Sequence, residues 1–513
     1  MFDRISTAVT IRKSQFAVMA LIVSFYLRFA DSLRSGRAGS EPLYDDITYL
    51  LDGRSRFYLW HWEHWSSLSN WLIDPPHSPS SSMISFLGYA LSDGTPQNAQ
   101  FFIYLINGLL IEAILVVLFF LTFGNLFKAL VATSTLNLTT LAPTLLFEFR
   151  PDPLFSIYLA LMMVIVYKFG DLKRIPFWFP LISAISVLIK PTFIIFAVTT
   201  FVFLVFVLLV KQERRSHAVL QLVKGSLLAI LVLLPYLISS WSHFYQYIYA
   251  ATIGQQSSIW DAEDFAAGIS INFKAIWTNF GLGITFLAFA ALFTTIFFLL
   301  PKSKSNSQLF WLAMIPSSNL LVAFATLGAT RFFYLPALLT MFFAFALGSK
   351  YIRNYPHPTG MKLIAVFLLL FTFGPNPNPQ PTLSKIQSGI NEEISQLLLK
   401  GEYKSVIFFF AAQANSSTVS WYMTDPESVP SFNSLVLTTE PENRVSEILN
   451  LARSYDAAVF ATSEMPGLQA QPPVIFPIHA LQDELLAELE TIWGTPRTIQ
   501  KPEYTILVNP KFD

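Results

Sequence analysis

The sequence predicts a polytopic α-helical membrane protein of about eleven transmembrane helices, followed by a small C-terminal α/β soluble domain. Three observations carry that expectation. Of the 513 residues, 53% are hydrophobic and only 13% charged, where a soluble domain carries about 25% charged residues. Mean hydropathy is +0.50. Long apolar runs recur from residue 14 to residue 374, and a proline-rich stretch then separates them from a segment of soluble composition. The 49 Phe and 11 Trp suit lipid-facing helices and interfacial belts. Formal net charge is zero, so nothing points to a nucleic-acid partner. The chain has no Cys, which excludes disulfides, thiolate nucleophiles and Cys-ligated metals.

A membrane helix needs about 20 mostly apolar residues. The runs that meet or approach this are 14–32, 98–121, 127–147, 153–169, 176–190, 192–210, 224–242, 279–300, 308–328, 332–349 and 361–374. The first is read as a retained span: Phe16 to Ala30 lacks a small-residue cleavage site and runs into an acidic loop. Lys and Arg in the short loops set the orientation. Pairs such as Arg12 and Lys13, Lys173 and Arg174, and Arg214 and Arg215 fall on one side. Short loops of the other side hold only Arg150, Lys190, Lys274 and Arg331. The N-terminus is therefore expected in the cytoplasm, with Asp45 and Asp46 on the outer face.

The first outer loop, 32–97, is long and carries two short helical patterns. Tyr58, Trp62, Trp65, Leu68 and Leu72 fall at helical spacing, with Glu63, Ser66, Ser67 and Asn70 between them. Such a helix lies in the interface instead of crossing it. Met83 to Leu91, after the turn Asp74-Pro75-Pro76-His77-Ser78-Pro79, is apolar but too short to span. The acidic pair stands at the start of this loop.

Gly374-Pro375-Asn376-Pro377-Asn378-Pro379-Gln380-Pro381 cannot continue a helix, so 375–382 reads as a stiff extended linker. It divides a membrane domain, 1–374, from an extracytoplasmic α/β domain, 383–513. Within the latter, Val406 to Ala411, Ala457 to Ala461 and Tyr504 to Val508 read as buried strands. Glu442 to Tyr455 and Leu481 to Trp493 read as amphipathic helices. No nucleotide-binding loop or metal-ligand spacing is found there.

Carboxylates are costly near a bilayer, so Asp45-Asp46 just outside the first span marks a candidate site. The outer ends of other spans add Glu148, Arg150, Asp152, Lys190 and Arg331. Cations and carboxylates gathered on one face suit an anionic, membrane-embedded substrate, and the arginine fork suits phosphate. Taken singly, each reads more readily as a snorkelling residue at a helix end; their joint placement on one face favours the functional reading.

In these residues the chain resembles the GT-C superfamily of integral-membrane glycosyltransferases, especially bacterial protein O-mannosyltransferases and lipid A aminoarabinose transferases. The resemblance covers residues 40–340. It rests on Asp45-Asp46 with Tyr49, Pro75-Pro76-His77-Ser78-Pro79, Arg150-Pro151-Asp152-Pro153, Ile189-Lys190-Pro191 and Arg331-Phe332-Phe333-Tyr334-Leu335-Pro336. Two positions depart from the family pattern: Asp46 stands where Glu is commoner, and Phe332 where Tyr is often found. The resemblance implies a polyprenyl-phosphate sugar donor, a lipid, glycan or protein acceptor, and inversion at the anomeric carbon. It makes Asp45 the general base and Asp46 its support. Lys190 and Arg331 would neutralise the donor phosphate, and Arg150, Asp152 and His77 would line the donor site. An aspartate of ordinary pKa, about 3.9, is ionised at neutral pH and can take an acceptor's proton. No metal or other cofactor is expected. The protein is expected in the plasma (inner) membrane.

Three other features have plainer readings. His61 and His64 with Glu63 nearby could bind a metal, but read better as polar residues of an interfacial helix. Asp261, Glu263 and Asp264 read as a solvated turn. Asn137-Leu138-Thr139 matches a glycosylation sequon but falls inside an expected span. Two other functions fit polytopic chains, a lipid or glycolipid transporter and an inactive GT-C-like scaffold. A transporter calls for mid-membrane charge and often an internal repeat. Glu112 is the main mid-span charge, and no repeat is evident.

Overall fold

A computed structural model describes residues 2–39, 45–69, 71, 78–92, 94–169, 175–189, 215–252, parts of 267–285, 383–409, 416–423, 431–434, 445–462 and 482–511. The expected spans 192–210, 308–328, 332–349 and 361–374, most of 279–300, and the linker 375–382 lie outside these residues. The chain forms two compact units. The first comprises Met1–Arg34, Glu63–Ile84 and Tyr104–Pro379. The second comprises Ser35–Trp62, Ser85–Ile103 and Gln380–Asp513.

Helix α1 covers Phe2–Ser35, α2 Asp45–Glu63, α3 Pro79–Leu91 and α4 Pro96–Phe123. Helix α5 covers Leu126–Asn137, α6 Ala142–Phe147, α7 Pro151–Phe169, α8 Ile175–Ile189 and α9 Arg215–Thr252. Ser14–Arg34, Pro96–Phe123 and Ser216–Trp241 are long and apolar enough to cross a bilayer. Their surfaces are inverted relative to a soluble helix. α1 exposes Phe16, Met19, Ile22 and Tyr26 while burying Ser24 and Ser32. α3 does the same, burying Ser81, Ser82 and Ser85 and exposing Met83, Leu87 and Leu91. Apolar residues outside and hydroxyls inside are what a lipid solvent selects. The chain is an integral membrane protein.

The apolar run 127–147, expected as one span, is broken. α5 stops at Asn137 and α6 starts at Ala142. The break is made by α1: Arg28 Nε donates to the Asn137 carbonyl at 2.7 Å and Arg28 Nη2 to the Leu138 carbonyl at 2.6 Å. A guanidinium thus takes the orphan carbonyls that end a helix, at the end where a cation is favoured. Pro143 then suits the first turn of α6, where its missing N–H costs nothing. The start of α5 is capped by Asn125, whose side chain accepts from Lys128 N at 3.0 Å. Asn137 of the sequon is fully buried, and its Nδ2 donates to Glu112 Oε1 at 2.8 Å and to Ser24 Oγ at 3.2 Å. The mid-span acid is therefore tied into a polar knot joining α1, α4 and α5.

In the second unit, the C-terminal residues form α10 (Leu383–Lys400), β1 (Ser405–Phe408), α11 (Ser416–Trp421), β2 (Ser431–Ser434) and α12 (Val445–Ala452). β3 (Ala457–Ala461), α13 (Gln482–Trp493), β4 (Arg497–Gln500) and β5 (Tyr504–Val508) complete them. The sheet order is β2-β1-β3-β5-β4; β1 runs parallel to β2 and β3, while β5 is antiparallel to β3 and β4. Strand alternation sends Val406, Phe408, Val459, Ile506 and Val508 to one face, where Ile390, Ile394 and Leu398 of α10 pack. Ile407, Phe409, Ala458, Phe460 and Leu507 take the other face, against Leu449, Leu485, Leu489 and Trp493. Asp456 clips the sheet, its carboxylate accepting Lys404 N at 2.7 Å and Ser405 Oγ at 3.0 Å. Strands expected at 457–461 and 504–508 stand there, and the one expected from Val406 begins at Ser405. β2 and β4 were not foreseen, being short and mostly polar; α10 was not foreseen although Ile390, Ile394 and Leu398 stand at helical spacing.

Candidate active site

The acidic pair opens α2. The expected interfacial helix from Tyr58 to Leu72 is displaced: α2 runs from Asp45 to Glu63, and a 3-10 turn, His64–Ser69, follows. Asp45 and Asp46 thus lie in the first turn of a helix and not in a loop ahead of it. Carboxylates at that end complement the helix dipole and its unpaired N–H groups. His64 stands at φ 50°, which ends α2. Trp62 and Trp65 remain exposed, as an interfacial segment requires.

Asp46 is fully buried, with Arg37 Nη1 at 3.7 Å from its Oδ2. Arg37 belongs to the turn after α1, and its carbonyl accepts from Gln100 Nε2 of α4 at 3.4 Å. Behind the pair, α2 lies directly on α3. Ser85 Oγ donates to the Leu50 carbonyl at 2.9 Å, and Gly53 faces Ser85 so closely that a Cβ would overlap it. Phe57 meets Tyr89 and Phe86 with ring centroids 6.1 and 6.3 Å apart, and Trp60 meets Phe86 edge-on at 6.4 Å. Arg56 pairs with Asp52 one turn away at 3.0 Å. Arg54, which no sequence pattern singled out, donates to three main-chain carbonyls at the end of α11. Burial pushes the Tyr89 phenol well above its ordinary range, against the lowering pull of the nearby Arg54 charge.

The remaining expected site residues belong to the first unit. Arg150 and Asp152 are both buried. Arg150 Nη1 stands 3.3 Å from Glu148 Oε1, an acid the sequence had placed on the same face. Asp152 occupies the first turn of α7 behind Pro151, and its carbonyl accepts from Ser156 Oγ at 2.6 Å. Lys190, Arg331 and His77 lie outside the described residues, as do Asp261, Glu263 and Asp264. Their flanks give one link: Ser78, next to His77, donates through Oγ to the carbonyl of Ile189, next to Lys190, at 2.8 Å. Among the described residues, no three His, Asp or Glu side chains stand close enough to hold a metal ion.

No family model matches this chain. No curated protein matches it in sequence. In three dimensions it is similar to the crystal structure of ArnT from Cupriavidus metallidurans bound to undecaprenyl phosphate. The two share 11% identity, and the match covers 97% of this chain and 98% of the other with a TM-score of 0.57. Identity that low transmits architecture and not activity. The chain has the fold of that structure over nearly its whole length.

Proposed function

We propose that this protein is a membrane glycosyltransferase that moves a sugar from a polyprenyl-phosphate donor to an acceptor on the outer face of the plasma membrane. The observation that carries the reading is the acidic first turn of α2, in a chain that takes, over nearly its whole length, the fold of a protein crystallised with undecaprenyl phosphate. The acceptor hydroxyl gives its proton to the Asp45 carboxylate as its oxygen bonds to the anomeric carbon. The bond from that carbon to the phosphate oxygen breaks on the opposite face, and polyprenyl phosphate leaves with the electron pair. Attack and departure on opposite faces invert the anomeric centre. A phosphate is a good leaving group, so the reaction needs no strong acid and we assign no metal or other cofactor. Asp46, held by Arg37, supports the turn that carries Asp45. Lys190 and Arg331 neutralise the phosphate, and Arg150, Asp152 and His77 complete the donor site.

The test uses full-length protein in lipid nanodiscs, undecaprenyl-phosphate conjugates of hexoses and pentoses, and a cell-envelope extract as acceptor source. Mass spectrometry follows release of undecaprenyl phosphate and the product formed. The expected result is consumption of one donor class, with a fall of about 10²–10⁴-fold for Asp45→Asn, the usual worth of a general base. Undecaprenyl phosphate still binds Asp45→Asn and binds Lys190→Ala and Arg331→Ala more weakly. Normal turnover by both Asp45→Asn and Asp46→Asn returns the pair to a structural role and ends the catalytic reading.

A further inference from the structure

We propose that Arg54 is a positioning residue, fastening the acidic helix α2 to the C-terminal α/β segment so that this segment sets the orientation of the turn carrying Asp45. This rests on the reading of Asp45 as the base. Arg54 is 7% exposed. Its Nη2 donates to the Ser420 carbonyl at 3.0 Å, and its Nη1 to the carbonyls of Met423 at 3.2 Å and Trp421 at 3.3 Å. These acceptors are the last residues of α11 and the turn after it, where a helix runs out of its own donors. The rigid fork of a guanidinium can satisfy several of them at once, which a single ammonium does less well.

Other contacts make the joint stiff. Trp421 is almost fully buried and meets the buried Tyr89 of α3 edge-on at 6.3 Å. Val419 and Met423, flanking it, belong to the core under α10 and the sheet. On its own side, Arg54 follows Gly53, the point of closest approach between α2 and α3. A helix rises about 1.5 Å per residue, so Arg54 lies roughly 13 Å along α2 from Asp45. A turn of α2 about its axis would break all three hydrogen bonds and strand a buried charge, which is strongly resisted. The first turn of α2 is thereby held in place from about two and a half turns further along the helix. The α/β segment then has a function for the reaction without contributing a group to it.

Full-length Arg54→Met and Arg54→Lys, with Asp45→Asn beside them, test this in nanodiscs. Three quantities are read: kcat and KM for release of undecaprenyl phosphate from the conjugates above, binding of undecaprenyl phosphate itself, and amide exchange over residues 416–423. A displacement of about 1 Å can cost 10²-fold in rate, so Arg54→Met should lower kcat by about 10–100-fold. KM and lipid binding should stay at the wild-type value, exchange over 416–423 should rise, and Arg54→Lys should recover part of kcat. Wild-type kcat in Arg54→Met with Asp45→Asn inactive overturns this inference alone. Normal turnover in Asp45→Asn overturns the base assignment and this inference with it. If Arg54→Met does not fold, Arg54→Lys decides: wild-type kcat with raised exchange overturns the inference, and lowered kcat at unchanged KM supports it.

Discussion

Asp46 is a buried carboxylate whose charge is met from within the protein. It has no exposed surface and faces Arg37, whose side chain is 22% exposed. Removing the charge from one member leaves the other desolvated, a cost of about 1–3 kcal/mol. Asp46→Asn is therefore expected to lower the thermal unfolding temperature, and Arg37→Gln added to it should give back part of the loss, since the uncompensated charge is then gone. Thermal unfolding of the two single variants and the double variant measures this. Additive losses would mean that the pair contributes nothing. The acidic pair was legible in the sequence because two adjacent carboxylates beside a span demand an account. Arg37 was not legible as a partner, because Arg34 and Arg37 stand on either side of Gly36 and nothing local selects one.

At the scale of elements, α2 and α3 are joined by the absence of a side chain. Gly53 would place a Cβ into the Ser85 side chain and within 2.7 Å of Phe86 N. Alanine normally stabilises a helix interior by about 1 kcal/mol over glycine. Here overpacking opposes it, typically by 1–3 kcal/mol, about enough to reverse the sign. Gly53→Ala is expected to unfold at lower temperature than the wild type, while Gly389→Ala in α10, where a Cβ meets nothing within 4 Å, should unfold at the same or a higher temperature. The comparison holds the chemistry constant and varies only the space. A gain at both positions would show that α2 and α3 can separate without cost. Periodicity located α3 and the helical stretch of α2 but misplaced its start. The acidic residues ahead of Tyr58 looked like loop because they are polar, whereas a helix N-terminus is where carboxylates are favoured.

For the whole molecule, the testable quantity is orientation. The bias of Lys and Arg has one sign across the short loops. A cytoplasmic N-terminus and an outer C-terminal segment are expected, and a reporter active only in the cytoplasm, fused after Asp513, should stay silent. A strong signal would mean an even number of spans and would overturn that architecture. The division into units is a property of contacts and not of composition. Gln380–Asp513 groups with Ser35–Trp62 and Ser85–Ile103, so the two flanks of the long first loop and the end of the chain share a unit. The proline run marks where composition changes, but composition carries no record of that association.

Sequence by itself determined the solvent of each segment. Apolar runs of membrane length, buried strands and charges gathered, Glu112 apart, toward helix ends follow from what water and lipid each exclude. From the same residues came the acidic pair and the resemblance whose fold the chain has. Only tertiary structure decided where the long runs break and which charges meet. Arg28 of α1 ends α5, Asn137 joins Glu112 and Ser24, Arg37 faces Asp46, and Arg54 holds the carbonyls of α11. Arg37 and Asp46 apart, the partner in each case is remote in sequence or is a main-chain carbonyl. A main-chain carbonyl is offered by every residue, so no pattern of side chains can announce which one a buried cation will find.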